Sequence, residues 1–340
     1  MKKYFLIALL ASLSSCNNGT EDENAEEVNN IRIGIVERLD PAIDSIIMPG
    51  AQAEIISEGF QWSEGPVWVE SQNMLLFSDV PADTIYKWTE KNRKQVYLSP
   101  SGYTGTQKRG GEMGSNGLLL DAQGRLVLCQ HGDRRIPRME SALNSPSPIF
   151  TTIADNYKGR KFNSPNDAVY NKKGELFFTD PPYGLEKQTS DPAKELPYQG
   201  VFRVMTDGTV ELITDTITRP NGIAFLPGEK TLLVANSDPA KPYWYAFDLD
   251  DDDKFSNGRI FLSAAEAAKD SHGLPDGLKA DSKGNVFATG PGGVWIFNST
   301  GMILGKIRLP DPVSNCALST DEKTLFITND MYVLRMVMRK

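Results

Sequence analysis

The chain has 340 residues, 40% hydrophobic and 24% charged, a composition that folds and is long enough for two modest domains or one large closed β architecture. Lys and Arg number 36 against 44 Asp and Glu, so the formal charge is −8 with no basic stripe to offset it, which argues against a nucleic-acid partner. With 29 Gly, 21 Pro and no sustained Ala/Leu/Glu periodicity, the chain reads as many short strands and turns, not as a helical bundle or coiled coil.

The first elements are processing signals. Lys2 and Lys3 give a positive start, Tyr4 to Leu13 an apolar core, and Leu13-Ser14-Ser15-Cys16 a small-residue cleavage site. The apolar run is too short for a permanent membrane span. The pattern resembles the lipobox of bacterial lipoproteins, which makes residues 1–15 a signal peptide and Cys16 the lipidated first residue of an exported, envelope-anchored chain. The only membrane contact expected is that N-terminal lipid. Glu21, Asp22, Glu23, Glu26 and Glu27 follow in a polar stretch, and residues 16–50 are read as an acidic flexible tether ahead of a catalytic domain over 51–340. Cys129 and Cys316 remain, far apart and without zinc or redox spacing, and read either as two buried thiols or, since export allows it, as a pair formed in an oxidising compartment.

From residue 64 onward the chain repeats. Segments beginning at Glu64, Asn116, Asn166, Asn221, Asp276 and Asn315 align, with starts 52, 50, 55, 55 and 39 residues apart. In each, an apolar run meets a turn such as Asp121-Ala-Gln-Gly124, Asn171-Lys-Lys-Gly174 or Asp281-Ser-Lys-Gly284, then a second β-branched or aromatic run. Further strand-like pieces bring most units to four strands, the dimension of a propeller blade, and closing the ring removes exposed sheet edges. The expectation is an all-β, six-bladed propeller. Its last unit has room for three strands, so a strand over Ala53 to Ser57 should complete that blade. Ser263 to Lys269 is the one stretch expected to form a short helix.

In such a ring the innermost strands converge on one mouth of a central channel. Their first residues, Glu64, Asn116, Asn166, Asn221, Asp276 and Asn315, all carry a side-chain oxygen and none a positive charge. Carboxylates with amide carbonyls suit a hard cation, since calcium takes six to eight oxygens at about 2.3–2.6 Å, whereas imidazole or thiolate would suit zinc or copper. Turn chemistry alone accounts for several of the following glycines but not for six oxygens in register. The second strands return Asp79, His131, Asp180, Ser237, Thr289 and Asp330 towards the same mouth. His131 is one of two histidines and reads either as a general base or substrate donor, or as a ring satisfied by its own blade. The other, His272, reads as a rim loop residue.

Ser63-Glu-Gly-Pro-Val-Trp68, Ser164-Pro-Asn-Asp167, Arg219-Pro-Asn-Gly-Ile223 and Pro275-Asp-Gly277 resemble, in order, the signatures of the senescence-marker-protein, gluconolactonase and luciferin-regenerating-enzyme-like family, which includes regucalcin and is distantly related to paraoxonases. The resemblance spans about Gly59 to Met336. It implies a calcium-dependent lactonase on a six-bladed propeller, with Glu64, Asn221 and Asp276 as metal ligands and Asn166 binding metal or substrate. It also implies an acid/base role for Asp276. An Arg-x-Asn substrate motif of the animal branch is not reproduced, since Ser164 precedes Asn166 by two, so substrate choice does not transfer.

The expected chemistry is hydrolysis of a lactone, with calcium polarising the carbonyl and either Asp276 or His131 taking the proton of the attacking water. Asn116, Asn166 and Tyr183 are candidate substrate contacts. The acidic ring favours a neutral sugar lactone or similar cyclic ester. Two alternatives stay open: a non-catalytic calcium-stabilised propeller that binds a glycan or protein, and an esterase acting on aryl esters or phosphotriesters at the same site.

Overall fold

The structure is a computed structural model that describes residues 31–250 and 254–339. Strands dominate the described residues, with only single turns of 3-10 helix between them. They form six antiparallel sheets of four or five strands and one short two-stranded ribbon. The sheets are the blades of a six-bladed propeller. Their innermost strands are Ser63–Val69, Ser115–Leu120, Ala168–Tyr170, Pro220–Phe225, Leu278–Ala280 and Asn315–Leu318.

The reason for a closed ring is visible in how side chains alternate. In a strand, successive side chains point to opposite faces. Met74 and Leu76 pack with Leu118, Leu126 and Leu128 between the first and second blades, while Leu75 and Phe77 pack with Phe326 and Val333 between the first and the last. Leu176 and Phe178 face the second blade in the same way, and Phe177 faces the fourth. Each of the six blade junctions thus has its own apolar cluster. A strand buried on both faces reads as an unbroken apolar run, which is why Met74–Asp79 and Leu176–Asp180 show no polar alternation until their ends.

The hairpin turns form as the sequence requires. Asp121 Oδ1 accepts from the backbone N–H groups of Gln123 and Arg125, both at 2.9 Å, and Asp281 Oδ1 does the same for Lys283 at 3.0 Å and Asn285 at 2.8 Å. These are local side-chain-to-backbone turns of the kind Asx residues favour.

Ring closure matches the expectation. Ala53–Glu58 pairs antiparallel with Tyr332–Val337, with Ser57 opposite Val333 and Ile55 opposite Leu334, and so supplies the fourth strand of the last blade. Arg335 ion-pairs with Glu54 across this seam and with Glu90 of the first blade at 2.6 Å.

Two expectations need correction. The tether does not reach residue 50. Arg32–Ile33 pairs with the closing strand, Ile35–Arg38 pairs with Ile303–Arg308 of the fifth blade, and the turn Pro41–Ser45 plants Ile43, Ile46 and Ile47 in the core between the last two blades. Ile43, Ile46 and Ile47 bury too much apolar surface to stay solvated. The rest of the tether, the signal segment and Cys16 lie outside the described residues. The helix expected over Ser263 to Lys269 is a single 3-10 turn, Ala267–Lys269, because Ser263 ends the strand Phe255–Ser263 and the Ala264 N–H donates to Pro242 O at 2.9 Å. Cys129 and Cys316 are buried free thiols, the first of the two readings.

Candidate active site

The six strand-leading residues do converge. Glu64, Asn116, Asn166 and Asn221 are 4% exposed or less, and together with Asp276 they line one cavity of about 500 Å³ at the mouth where the inner strands begin. What brings them so close is the glycine that follows most of them. A Cβ on Gly117 would stand 2.6 Å from Asn166 O, and one on Gly222 would stand 2.2 Å from Asp276 O. Neither glycine has positive φ. They are there for close approach between neighbouring blades and not for turning, which corrects the expectation that turn chemistry accounts for them; Gly65, at φ +53°, meets both demands.

The side-chain oxygens are left unpaired. Asn116 Oδ1, Asn166 Oδ1, Asn221 Oδ1 and Asp276 Oδ1 are buried without a hydrogen-bond partner. They come from four blades and face one cavity. A buried carbonyl without a partner costs roughly 1–3 kcal/mol, so four in one place call for a ligand. Their orientation is fixed from behind: Asn221 Nδ2 donates to Ser237 Oγ at 3.0 Å, and Ser237 Oγ donates to Pro275 O at 2.6 Å, next to Asp276. Glu64 Oε2 accepts from the Gly65 N–H at 2.6 Å and from Asn315 Nδ2 at 3.2 Å.

The electrostatics point the same way. Burial, reinforced by the nearby charges of Asp167 and Glu112, pushes Glu64 up to about 8. Burial likewise holds Asp276 well above the usual carboxylate range, with the charges of Glu64, Glu112 and Asp167 adding to it. Two carboxylates this reluctant to ionise together would do so readily around a cation. The donor set facing the cavity is carboxylate and amide oxygen, the ligand chemistry that a hard cation takes.

Asn315, the sixth leading residue, is used differently. Its Nδ2 reaches Glu64 Oε2 and, at 3.4 Å, Asp167 Oδ2, while Lys279 Nζ donates to Asn315 Oδ1 at 3.4 Å and to Asp167 Oδ2 at 3.2 Å. Asp167 stands where four of the other blades have glycine and the last has Cys316. Lys279 and Asp167 therefore form a charged plug inside the channel, just below the oxygen ring. Sequence reading saw no cation near the axis because Lys279 lies three residues beyond the leading position of its blade.

Most of the second-strand residues are structural. Asp79 accepts from the N–H groups of Gln61 and Trp62, and Asp180 from those of Asn163 and Ser164, both at 2.8 Å; each carboxylate locks the loop entering its blade. Burial pushes Asp180 up to about 7. Thr289 Oγ1 donates to Ser314 O. Of that set only Ser237 lines the cavity. His131 is fully buried behind the wall, with Nδ1 3.4 Å from Glu112 Oε2, and it is Glu112 that lines the cavity. His272 is exposed, as a rim residue should be. Tyr183 does line the cavity, with the Arg219 guanidinium 5.9 Å from its ring centroid.

Sequence reading missed Glu112, Trp62 and Arg219 as wall residues. Glu112 sits in the long connection between Arg93–Leu98 and Ser115–Leu120, outside any repeat. That connection is strapped down: Asp83 Oδ1 accepts from the Ser101, Gly102 and Tyr103 N–H groups, Thr104 Oγ1 donates to Asp133 at 2.7 Å, and the Gly110 N–H donates to Glu186 at 2.9 Å.

Fold and site together define a six-bladed propeller with an oxygen-lined pocket at one mouth of its channel. Residues 62–330 match the model of the SMP-30/Gluconolactonase/LRE-like region, and the chain belongs to that family. It is 38% identical over 323 residues to a gluconolactonase of Zymomonas mobilis, covering 93% of this chain and 90% of that protein. It is 26% identical over 280 residues to a pentonolactonase of Haloferax volcanii, covering 81% and 83%. Among solved structures, a gluconolactonase from Xanthomonas campestris superposes with a TM-score of 0.77 at 29% identity, covering 91% of this chain and 98% of that one. A regucalcin from Agrobacterium tumefaciens, at 14% identity and a TM-score of 0.63, shares the fold, covering 84% and 94%.

Proposed function

We propose that this chain is a calcium-dependent lactonase that opens a small neutral lactone, a sugar lactone in the first instance, by hydrolysis. The observation that carries the reading is the set of four unpartnered buried oxygens, one from each of four blades, facing a single cavity. The gluconolactonase and pentonolactonase among its relatives supply the reaction class. Glu64, Asn166, Asn221 and Asp276 would hold the cation, with Asn116 Oδ1 facing the same space. Bound there, calcium supplies Lewis acidity towards the lactone carbonyl and charge stabilisation as its oxygen becomes negative.

The chain's own residues do the rest. Water adds to the carbonyl carbon while Asp276 takes its proton; the ring C–O bond then breaks and the departing alkoxide receives a proton, leaving a hydroxy acid. Tyr183, Asn116 and Trp62 shape the cavity around the substrate. The walls carry Glu64, Glu112 and Asp276 against the single cation Arg219, a balance that suits an uncharged substrate.

The test is a panel of sugar lactones, unsubstituted lactones, aryl esters and phosphotriesters assayed with and without calcium. Glucono-δ-lactone should be opened only with calcium, and Glu64→Ala or Asp276→Ala should lower kcat/KM by about a thousandfold. Calcium-independent turnover, or preference for aryl esters or phosphotriesters, would displace this reading.

We further propose that the mature chain is an envelope lipoprotein anchored through Cys16, on the strength of the segment around Leu13-Ser14-Ser15-Cys16. No helix among the described residues is long and apolar enough to cross a membrane. Cys16→Ala should move the protein from the membrane to the soluble fraction; an unchanged membrane fraction would sink the assignment.

A further inference from the structure

His131 is a buried polar group that the hydrolytic step leaves unused. Its ring is 0% exposed and neither nitrogen has a hydrogen-bond partner, yet Nδ1 stands 3.4 Å from Glu112 Oε2. The ring is wedged in place: a Cβ on Gly184 would come within 2.7 Å of both His131 Cβ and Ser164 Cβ, so the loop carrying Tyr183 lies directly against it. Glu112 closes the other side. Its side chain is 38% exposed and lines the cavity, at the end of a connection pinned by Asp83, Asp133 and Glu186.

Glu112 differs from the other two carboxylates of the cavity. Glu64 Oε2 is engaged by the Gly65 N–H and Asn315, and Asp276 leads an inner strand within the oxygen ring. Glu112 comes from outside the ring, on the wall, with the Nδ1 of a buried histidine 3.4 Å behind it. A carboxylate with a ring nitrogen in reach at the rear and open in front is an acceptor for hydroxyl groups. We propose that Glu112, oriented by His131, accepts hydrogen bonds from ring hydroxyls of the substrate and selects polyhydroxylated lactones over unsubstituted ones. His131 is then a positioning residue that acts through Glu112. The proposal rests on the lactonase reading for the reaction but not for the binding.

Two measurements separate the two. The first compares kcat/KM for glucono-δ-lactone and for δ-valerolactone, the same ring without hydroxyls, in the wild type, Glu112→Gln, His131→Ala and His131→Asn. Losing a hydrogen bond to a charged acceptor should lower the preference for the hydroxylated lactone by about tenfold or more in Glu112→Gln, chiefly through KM. His131→Ala should do the same. His131→Asn, whose amide N–H can replace Nδ1–H, should recover most of the preference, which a merely space-filling histidine would not explain. The second measurement is calorimetric binding of 1,5-anhydroglucitol, which has the hydroxyls but no carbonyl. It should bind the wild type and about tenfold more weakly to Glu112→Gln, a folded protein by its unfolding transition.

If Glu112→Gln lowers turnover of both lactones equally, or leaves the preference and the anhydroglucitol affinity unchanged, the assignment is overturned. If the wild type opens neither lactone, the lactonase reading fails, and the anhydroglucitol titration still decides the role of Glu112.

Discussion

The two mouths of the channel are built from the same six strands and have opposite chemistry. Where the strands begin, Glu64, Asn116, Asn166, Asn221 and Asp276 gather around a cavity, and an oxygen of each of the last four is unpaired. Where they run out, residues such as Trp68, Leu118, Val169, Ile223, Phe225 and Leu318 line a mostly apolar funnel of about 330 Å³, with Lys279 the one charged residue of its lining. Between the two lies the Lys279–Asp167 pair. The contrast marks where the proposed site falls on a near-symmetric scaffold. The ends of the strands meet their neighbours through apolar side chains, while their starts meet through glycine backbone and carry polar groups that cost stability while unpaired.

The sharpest way to break this comparison is to remove the plug. Lys279→Met leaves Asp167, which is almost wholly buried, as an unpaired carboxylate, and should cost about 3–5 kcal/mol in denaturant unfolding. Adding Asp167→Asn should return most of that loss, because the buried charge goes with its partner. A double variant as unstable as Lys279→Met alone would show that the loss does not come from an unpaired Asp167. At the other mouth, Leu118→Ala should cost about 2–5 kcal/mol by opening a cavity between the first two blades, and should leave calcium affinity within about twofold of the wild type. A large loss of calcium affinity there would mean that the mouths are not separable.

Much of this was legible in the sequence, and particular residues show why. The six repeats, the closing strand and the leading oxygens could be read because each follows from a period or from a residue type at a fixed register. The glycines after Asn116 and Asn221 were readable as present but not for their reason, since only the ring shows that the next blade's backbone occupies the space of a side chain. Ile43, Ile46 and Ile47 were available as a signal that the tether ends early, but the acidic run before them masked the change in composition. Glu112 could not be found by repeat analysis, because it lies on a connection that no other blade shares. Its approach to the cavity depends on long-range anchors at Asp133 and Glu186, and His131 gains its place only through that approach.

The central claim is that oxygens from separate blades form one cation site. It is tested most directly by calorimetric titration of the metal-stripped chain with calcium chloride, alongside Glu64→Gln. The account predicts saturable binding to a single site in the wild type, in the range from micromolar to about 1 mM, and its loss in the variant. Equal binding by both proteins, or none by the wild type at millimolar calcium, would contradict it.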